Sequence, residues 1–389
     1  MLADTNVALG VTGSIATVKT VELAHELRRE GASVRAVTTP SATGIVHPWA
    51  LEFATERPPV TEITGAVEHV ALCGREGWAD VLLIAPATAN TVGKIAAAVD
   101  DTPVTTCATT ALGAGVPVVI APAMHEPMYD HPGVLEAIDA VESWGVDFVD
   151  PRIEEGKAKI ASEDAIVTAT ARATTPATLS GQHVVVTSGA TTESIDPIRT
   201  LSNRASGRTG RAVARACYVR GADVTLVHDG PDVPYADVRR AESAAAMLDA
   251  VKLAVGGDGV APADALVSAA AISDFTVETA PEKIRSGKPR TLDLEPTPKL
   301  LDTVRDAHPD LTMVGFKAET SGDDDAMVAQ ARALRDRVGL AFVVANDATA
   351  VMGGSGTRAL VVDDGVETYA GSKAGLGDRV ADGVAAALE

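Results

Sequence analysis

Short apolar runs, each followed by small polar residues and then by a helical pattern, recur along the chain. The first two runs are Asn6–Val11 and Ser33–Thr38, and an amphipathic segment, residues 18–31, lies between them. An apolar run that turns into a helix of this length and returns to a second run is typical of a βαβ unit with parallel strands. The pattern therefore predicts an α/β protein.

A second series of such units begins in the middle of the chain. The run of residues 183–186 leads into a small-residue turn, a loop rich in hydrogen-bonding side chains, two glycines and an alanine-rich helical segment. This arrangement presents backbone N–H groups to a phosphate in doubly wound sheets. We predict two doubly wound domains, a flavodoxin-like or Rossmann-like domain at 1–172 and a Rossmann-like domain at 183–389. The low-complexity stretch 173–182 is the predicted linker.

Composition narrows the possible partners. A hydrophobic content of 46% in 389 residues supports two sizeable cores, and the formal charge of −20 argues against a nucleic-acid or anionic-membrane binder. We interpret the acidity as a surface adapted to high salt. The three cysteines form no CxxC pair, and no segment resembles a signal peptide or a membrane span. A reducing cytoplasm is the expected location.

Polar residues follow several predicted strands of the first half. The turn after Val11 carries one glycine with Ser and Thr hydroxyls, which suits a mononucleotide phosphate such as that of FMN better than a dinucleotide. A plain strand-to-helix turn would fit this short motif equally well. His69 is expected beside a strand, where a single histidine usually has a structural role. Further polar loops occupy residues 86–91 and 122–132.

The first half resembles the flavin-dependent cysteine decarboxylases. The resemblance is carried by GSIA, EHVAL, WADVLLIAPATANTVGKIAAAVDD, TTCATTAL and VPVVIAPAMHEPMY, in this order. It implies bound FMN, with His69 as the essential histidine and His125 in the loop that handles the substrate carboxylate. The implied FMN contacts, some of them in a loop at 106–110, are Gly13, Ser14, Ile15, Thr38, Pro86, Thr88, Asn90, Thr106, Ala108 and Thr109.

The chemistry of such a site is consistent with these residues. Flavin takes a hydride from the carbon next to sulfur, and the resulting β-thioxo acid loses CO₂ readily. His69 is a candidate to take the thiol proton, because imidazole titrates near working pH. Relatives with a net non-oxidative reaction carry a proton-donating Cys in a flap, which residues 151–166 lack. Lys157 or Lys159 lies where a donor is needed, and the donor stays open.

The second half resembles the phosphopantothenate–cysteine ligases. The resemblance begins with VVVTSGATTESIDPIRTLSNRASGRTGRAVA and implies that Asn203 contacts the activated acyl intermediate. The alternative for Asn203 is a helix cap. Arg204 and Arg208 are candidates to pair with phosphates, or they are solvated. No covalent protein nucleophile is needed, since nucleotidylation makes a mixed anhydride that the cysteine amine attacks.

The resemblance continues to the end of the chain and implies a nucleotide site. Asp274 would hold the nucleotide or its Mg²⁺, Lys283 would contact the triphosphate or the intermediate, and Phe316 would pack against the nucleobase. Asn346 and Asp347 are expected at the edge of the site. The implied nucleotide contacts are Gly189, Ser206, Gly207, Ser268, Ala269, Ala270, Asp274, Lys283, Pro298, Lys299, Leu300, Leu301 and Phe316.

One departure from the ligase family concerns the residues that bind the triphosphate. Two lysines of the ligase family fall on Leu334 and Val338 here, which are apolar. Three arginines nearby, Arg332, Arg335 and Arg337, are candidates to replace them. The choice between CTP and ATP is open for the same reason.

Together the two resemblances imply a bifunctional decarboxylase and ligase of coenzyme A biosynthesis. The expected ligands are FMN, Mg²⁺, 4′-phosphopantothenate, cysteine and CTP, without nucleic acid or membrane. We expect a homo-oligomer with trimeric contacts in the decarboxylase half and dimeric contacts in the ligase half. One alternative is a flavin-binding regulatory or scaffold protein with a degenerate ligase half. Another, an NAD-linked dehydrogenase, shares the fold class but lacks the dinucleotide fingerprint.

Overall fold

The chain forms two units, Met1–Thr175 and Pro176–Glu389. The computed structural model describes residues 1–256, 261–319, 323–347 and 356–389. The division between the units lies inside the predicted linker. That segment has defined structure at both ends, because a helix of the first unit extends to Thr174 and Leu179 is fully buried in a core of the second unit.

The first unit is built on a parallel sheet. Its strands are β1 (Asn6–Val11), β2 (Ser33–Thr38), β3 (Val81–Ala87), β4 (Val118–Pro122) and β6 (Asp147–Phe148). Their order is β2-β1-β3-β4-β6, and every neighbouring pair is parallel. This is the flavodoxin-like order, whose topological switch point lies between the first and third strands. All of β3 is buried, as expected of a central strand covered on both faces.

Nine helices and a small antiparallel sheet complete the described structure of the first unit. The sheet comprises β5 (Met124–His125), β7 (Arg152–Glu154) and β8 (Lys157–Lys159), with β8 in the middle. A short 3-10 helix, Ile15–Lys19, precedes α1. The helices are α1 (Thr20–Arg29), α2 (Pro40–Thr43), α3 (Pro48–Thr55), α4 (Glu68–Cys73), α5 (Ala89–Ala96), α6 (Pro103–Ala114), α7 (Glu126–Tyr129), α8 (Pro132–Glu142) and α9 (Glu163–Thr174).

The second unit has a larger mixed sheet. Its strands are β9 (His183–Thr187), β12 (Asp223–His228), β13 (Asp237–Arg240), β14 (Ala265–Ser268), β17 (Thr312–Glu319), β18 (Phe342–Asp347), β19 (Gly356–Val362) and β20 (Val366–Ser372). The order is β13-β12-β9-β14-β17-β18-β19-β20, parallel up to β18 and antiparallel beyond it. The chain reverses its winding between β9 and β14, so ligands are expected at the carboxyl ends of these strands.

Helices cover both faces of this sheet, and two hairpins stand at its carboxyl edge. The hairpins pair β10 (Thr192–Ser194) with β11 (Thr200–Ser202), and β15 (Phe275–Val277) with β16 (Leu294–Pro296). The helices are α10 (Arg208–Val219), α11 (Ala244–Gly256), α12 (Leu300–Ala307), α13 (Asp324–Val338) and α14 (Lys373–Leu388). Two hydrophobic clusters, one on each face, pack the helices onto the strands. The predicted fold class, two doubly wound α/β domains, is confirmed.

Candidate active sites

The switch point of the first unit is lined by two loops that one threonine holds together. The hydroxyl of Thr12 donates to the carbonyl oxygen of Pro86 at 2.8 Å, and the N–H of Thr88 donates to the same hydroxyl at 3.1 Å. Gly13 and Ser14 follow Thr12 directly, so the turn after β1 and the loop after β3 have a fixed spacing. The hydroxyl of Ser14 also donates to Ala123 at 3.1 Å.

Gly13 allows a close approach between this turn and the start of α2. A Cβ atom on Gly13 would lie 2.4 Å from the Cβ of Ser41, a distance that real Cβ atoms essentially never show. Thr38, which ends the neighbouring β2, is fully buried, and its hydroxyl has no hydrogen-bond partner among residues described in the structure. A buried hydroxyl without a partner is costly. The Thr38 hydroxyl is therefore available to a ligand.

His69 lies in helix α4, and the prediction that it lies beside a strand is wrong. The short run EHVALC fits a strand or a helix equally well, and its apolar residues Leu72 and Cys73 are buried against the core. The Nδ1 atom of His69 is buried and has no hydrogen-bond partner in the described ranges. This ring nitrogen is thus available to another group.

The remaining predicted FMN contacts differ in what they offer. Thr88 caps α5, and its hydroxyl accepts from the N–H of Thr91, while the side chain of Asn90 is exposed. The expected loop at 106–110 is instead part of α6, because Pro103 and a capping box of Thr102 with Thr105 start the helix earlier.

This helix uses two of the predicted side chains for its own structure. Ala108 is fully buried in the core. The hydroxyl of Thr106 donates to the carbonyl oxygens of Asp100 and Thr102. The side chain of Thr109 is exposed. Neither Thr106 nor Ala108 therefore presents a free polar side chain to a cofactor.

The small sheet brings His125 next to a lysine. His125 on β5 is the antiparallel partner of Lys157 on β8. Lys159, two residues farther on, is engaged with Glu154 at 3.1 Å and Glu155 at 2.9 Å. Hydrogen bonds with these two carboxylates, that of Glu155 first, raise the pKa of Lys159. Lys157 is therefore the better placed of the two candidate donors.

In the second unit, glycines pack the loop after β9 against the first turn of α10. Gly189 and Gly207 adopt φ values of +90° and +70°, which favour glycine. A Cβ atom on Gly207 would lie 2.9 Å from the backbone of Gly189, and one on Gly210 would lie 2.6 Å from the Cβ of Ser188. The hydroxyl of Ser188 donates to the carbonyl oxygen of Gly207 at 2.8 Å. Ser206, just before this turn, is exposed.

Asn203 bridges the two loops of this switch point. It follows β11, and its side-chain amide donates to the carbonyl oxygen of Ala271 at 2.9 Å. Ala271 belongs to the loop after β14, where the N–H of Ala270 also donates to Thr187 at 3.2 Å. Ser268 ends β14 and is buried, and Ala269 packs against the core beneath it. The residue predicted to contact the acyl group thus lies where the two loops meet.

Asp196 organises the loop that carries Lys283, a role that the sequence did not indicate. Its carboxylate accepts hydrogen bonds from the N–H groups of Ile198 and Arg199, at 2.9 Å each, and of Ile284 at 3.1 Å. Burial raises the pKa of Asp196, but these bonds and the Arg199 guanidinium outweigh burial and lower the pKa to about 2. The Asp196 side chain is fully buried, whereas that of Lys283 is exposed.

Asp274 and Lys299, both predicted to bind nucleotide, form an ion pair. The backbone of Asp274 accepts from the N–H of Thr297 at 3.0 Å, which holds the two predicted segments together. Within the described ranges no three metal-ligating side chains cluster. Asp274 therefore offers a single carboxylate, as is common for Mg²⁺ that is shared with phosphates.

Several other predicted nucleotide contacts pack inside the protein. Leu300 is buried, and Leu301 and Phe316 are partly buried against the two clusters. Pro298 is exposed. The side-chain oxygen of Asn346, at the end of β18, is buried and unpartnered in the part of the chain described. The side chain of Asp347 lies outside the described residues.

The arginines that were candidates to replace the missing lysines are bound elsewhere. Arg335 in α13 donates to the carbonyl oxygen of Ala341, which precedes β18, and pairs with Asp364. Arg337 pairs with Asp302. The contacts of Arg335 lie at the amino edge of the sheet, away from the switch point, because Asp364 follows the end of β19, which pairs with the start of β18. Arg332 is exposed on the same helix.

Comparison with known proteins agrees with this division of the chain. Residues 1–175 match the Flavoprotein family model, and residues 179–388 match that of the DNA/pantothenate metabolism flavoprotein C-terminal domain. The chain is 48% identical to the coenzyme A biosynthesis bifunctional protein CoaBC of Thermococcus kodakarensis, over 89% of this chain and 86% of that protein. It is 33% identical to the CoaBC of Methanocaldococcus jannaschii, over 99% and 94% of the two chains. The chain belongs to the CoaBC family.

The chain is also similar to a solved structure, that of the FMN-dependent cysteine decarboxylase SpaF. The sequence identity is 31%, the match covers 44% of this chain and 99% of the SpaF chain, and the TM-score is 0.39.

This CoaBC family member is a bifunctional enzyme with decarboxylase and ligase activities in coenzyme A biosynthesis. The family expected from the motifs is thereby confirmed, and the alternative of a regulatory or scaffold protein is not favoured. In the described residues no helix is long and apolar enough to cross a membrane. Thr12 and Asp196 hold loops of the two candidate sites together, a role that motif comparison alone had not indicated.

Proposed function

We propose that the second unit joins cysteine to 4′-phosphopantothenate with CTP and Mg²⁺, and that the first unit decarboxylates the product to 4′-phosphopantetheine with FMN. The observation that carries the proposal is that hydrogen bonds link the motif segments of each resemblance at the switch point of its unit. Gly13 and Pro86 are linked through Thr12, and Asn203 is linked to Ala271. Switch points are where such sheets bind their ligands.

The residues around Thr38 fit FMN. The turn of Gly13, Ser14 and Ile15 begins a helical segment, which favours a phosphate. The buried, unpartnered hydroxyl of Thr38 would gain a hydrogen bond. Pro86, Thr88 and Asn90 would hold the cofactor from the loop after β3. When bound, FMN supplies the electron sink for oxidation of the carbon next to sulfur.

Three side chains of the first unit have proposed roles in proton and substrate handling. His69 takes the thiol proton of the substrate, for which its unpartnered Nδ1 is available. His125 orients the carboxylate that is lost. Lys157, its cross-strand partner, gives the proton that completes the product, since Lys159 is held by two glutamates.

The ligase reaction needs a carboxylate to be activated before the amine attacks. CTP converts the carboxylate of 4′-phosphopantothenate into a mixed anhydride and releases pyrophosphate. Asn203 orients the acyl phosphate, and Lys283 and Lys299 neutralise phosphate charge. The carboxylate of Asp274 would hold Mg²⁺, once Lys299 exchanges its present partner for a phosphate.

The proposal includes a homo-oligomer in the cytoplasm, with trimeric contacts in the first unit and dimeric contacts in the second. Ile15, Trp49 and Phe53 are 78%, 77% and 74% exposed, and large apolar groups of this exposure favour association. All three cysteines are free, as in reducing compartments.

The test of each half uses the full-length protein. After reconstitution with FMN and gel filtration, a retained flavin spectrum is expected, and its absence would reject the first assignment. Sustained release of pyrophosphate is expected with CTP only when both 4′-phosphopantothenate and cysteine are supplied, since without cysteine the reaction stops after one mixed anhydride per site. The same release with ATP but not with CTP, in the presence of both other substrates, would identify ATP as the nucleotide.

A further inference from the structure

His228, the last residue of β12, has a buried ring nitrogen with no use in the fold. The residue is 1% exposed, and its Nε2 atom has no hydrogen-bond partner within the described ranges. A buried polar atom of this kind normally finds a partner, and an exception points to a bound group. None of the site residues discussed above accounts for it.

The position of His228 is next to the glycine loop of the ligase half. The preceding residue, Val227, accepts a hydrogen bond from the N–H of Ser188 at 3.0 Å. Ser188 in turn donates to the carbonyl oxygen of Gly207, the residue before α10, and packs against Gly210 in the first turn of that helix. No side chain caps this end of α10, in the part of the chain that the structure describes. His228 is thus beside a helix terminus with free N–H groups.

Charged groups of both signs surround His228, with one arginine on each of the two neighbouring elements. Arg211 of α10 donates to the carbonyl oxygen of Ser206 at 3.1 Å, and Arg240 of β13 donates to that of Gly230 at 2.8 Å. Asp229 adjoins the ring, and Arg240 also pairs with Asp232.

The protonation state of the ring follows from this setting. Burial first, and then the charge of Arg211, lower the pKa of His228, with a smaller contribution from Arg240. The Pro231 backbone and Asp229 act in the opposite direction. The imidazole of His228 is therefore neutral in the free protein at neutral pH. A bound phosphate would favour its charged, protonated form.

We infer that Nε2 of His228 binds a phosphate group of a ligase substrate at the amino end of α10 and takes up one proton from solvent when the phosphate binds. The inference rests on the proposed ligase function. Two of the three ligase substrates carry phosphate, 4′-phosphopantothenate as a phosphomonoester and CTP as a triphosphate. A helix terminus and two arginines suit either one.

Calorimetry tests this directly, because proton uptake makes the binding enthalpy depend on the ionisation enthalpy of the buffer. The full-length protein is titrated near pH ~7.5, where phosphomonoesters are mostly dianionic, with 4′-phosphopantothenate and with CTP in two buffers. We expect proton uptake with one of the two ligands. His228→Gln should abolish this uptake and weaken that ligand about tenfold, while the other ligand is unaffected.

His183→Gln is the matched control, since both ring nitrogens of His183 have partners, Ala261 and Thr225, at the opposite edge of the sheet. It should keep both affinity and proton uptake. Unchanged uptake and affinity for both ligands in His228→Gln would overturn the inference.

Failure of the ligase assignment would look different. In that case the unmodified protein forms no amide from the two substrates, and inorganic phosphate serves as the probe in the same titration. Phosphate-linked proton uptake that His228→Gln removes would still support the phosphate site, and its absence would overturn that site too. If the unmodified protein does form the amide, and His228→Gln binds both ligands with unchanged affinity and proton uptake, the inference is overturned while the ligase assignment stands.

Discussion

The side-chain amide of Asn203 donates a hydrogen bond to the backbone carbonyl oxygen of Ala271 at 2.9 Å. This single contact joins the loop before α10 to the loop after β14, which are 68 residues apart in the chain. Both loops stand at the carboxyl ends of the two central strands. Asn203 therefore fixes the spacing of these two loops, between which we propose that the ligase substrates bind.

Replacing this asparagine should separate the two activities. In Asn203→Ala, amide formation should fall about a hundredfold, because one oriented donor at a developing charge contributes on that scale. Decarboxylation of supplied 4′-phosphopantothenoylcysteine should be unchanged, since it belongs to the other unit. Pyrophosphate and CO₂ release measured separately give both numbers. Full ligase activity in the variant would remove Asn203 from the mechanism.

Thr12 should matter for cofactor binding although it was not predicted to contact the cofactor. Thr12→Val removes two hydrogen bonds, to Pro86 and from Thr88. The dissociation constant of FMN should rise about tenfold or more, on the usual value of ~1 kcal/mol for each bond. Flavin fluorescence titration measures it. Thr55→Val is the control, because the Thr55 hydroxyl donates to Leu51 and Arg57 and not to either of the two loops. Equal FMN affinity in both variants would contradict the role of Thr12.

The cross-strand pair of His125 and Lys157 makes the two flap lysines distinguishable. Lys157→Gln should lower the yield of 4′-phosphopantetheine about a hundredfold relative to CO₂, since general acid catalysis contributes at least that much. Lys159→Gln loses only its pairs with Glu154 and Glu155 and should keep the normal ratio. Product analysis by mass spectrometry decides between them. A normal ratio in Lys157→Gln would exclude Lys157 as the donor.

The buried carboxylate of Asp196 should make stability depend on acid pH. Its folded pKa of about 2 lies below its ordinary value of 3.8, so the ionised form favours the folded state. This contribution is complete above pH ~4 and is lost as pH falls through about 2. Asp196→Asn should therefore be less stable near neutral pH and lose less stability between pH ~4 and ~3.

Urea unfolding at several pH values provides this measurement, with the exposed Asp310→Asn as control. The Asp310 variant should follow the unmodified protein throughout. The Asp196 variant should also lose ligase activity, because Ile284, next to Lys283, is held by that carboxylate. Identical acid unfolding of all three proteins would contradict the assigned pKa.

The sequence was sufficient for the elements that short-range pattern determines. Strands such as Asn6–Val11 and Ser33–Thr38 have the predicted bounds because buried parallel strands are continuous apolar runs between turns. The helical position of His69 was missed because six residues are too few for their periodicity to separate helix from strand. The start of α6 depends on a capping box, which the pattern of apolar positions does not reveal.

Long-range contacts could not be predicted from the sequence, for a different reason. Asp196 and Ile284 are 88 residues apart, and only the folded chain brings that carboxylate to the loop of Lys283. The register that pairs His125 with Lys157 likewise depends on a small sheet of short strands. Motif resemblance pointed to residues that we propose act on the substrates, but it did not indicate which residues hold the loops in place.

The central claim is that one chain performs both reactions in sequence. The most direct measurement supplies FMN-loaded protein with 4′-phosphopantothenate, cysteine, CTP and Mg²⁺, and follows pyrophosphate and CO₂ together. Our account predicts one CO₂ for each pyrophosphate, with a lag in CO₂. When cysteine is omitted, it predicts no CO₂ and no more than one pyrophosphate per site. Pyrophosphate without CO₂, or CO₂ from supplied 4′-phosphopantothenoylcysteine without any pyrophosphate from the full mixture, would contradict it.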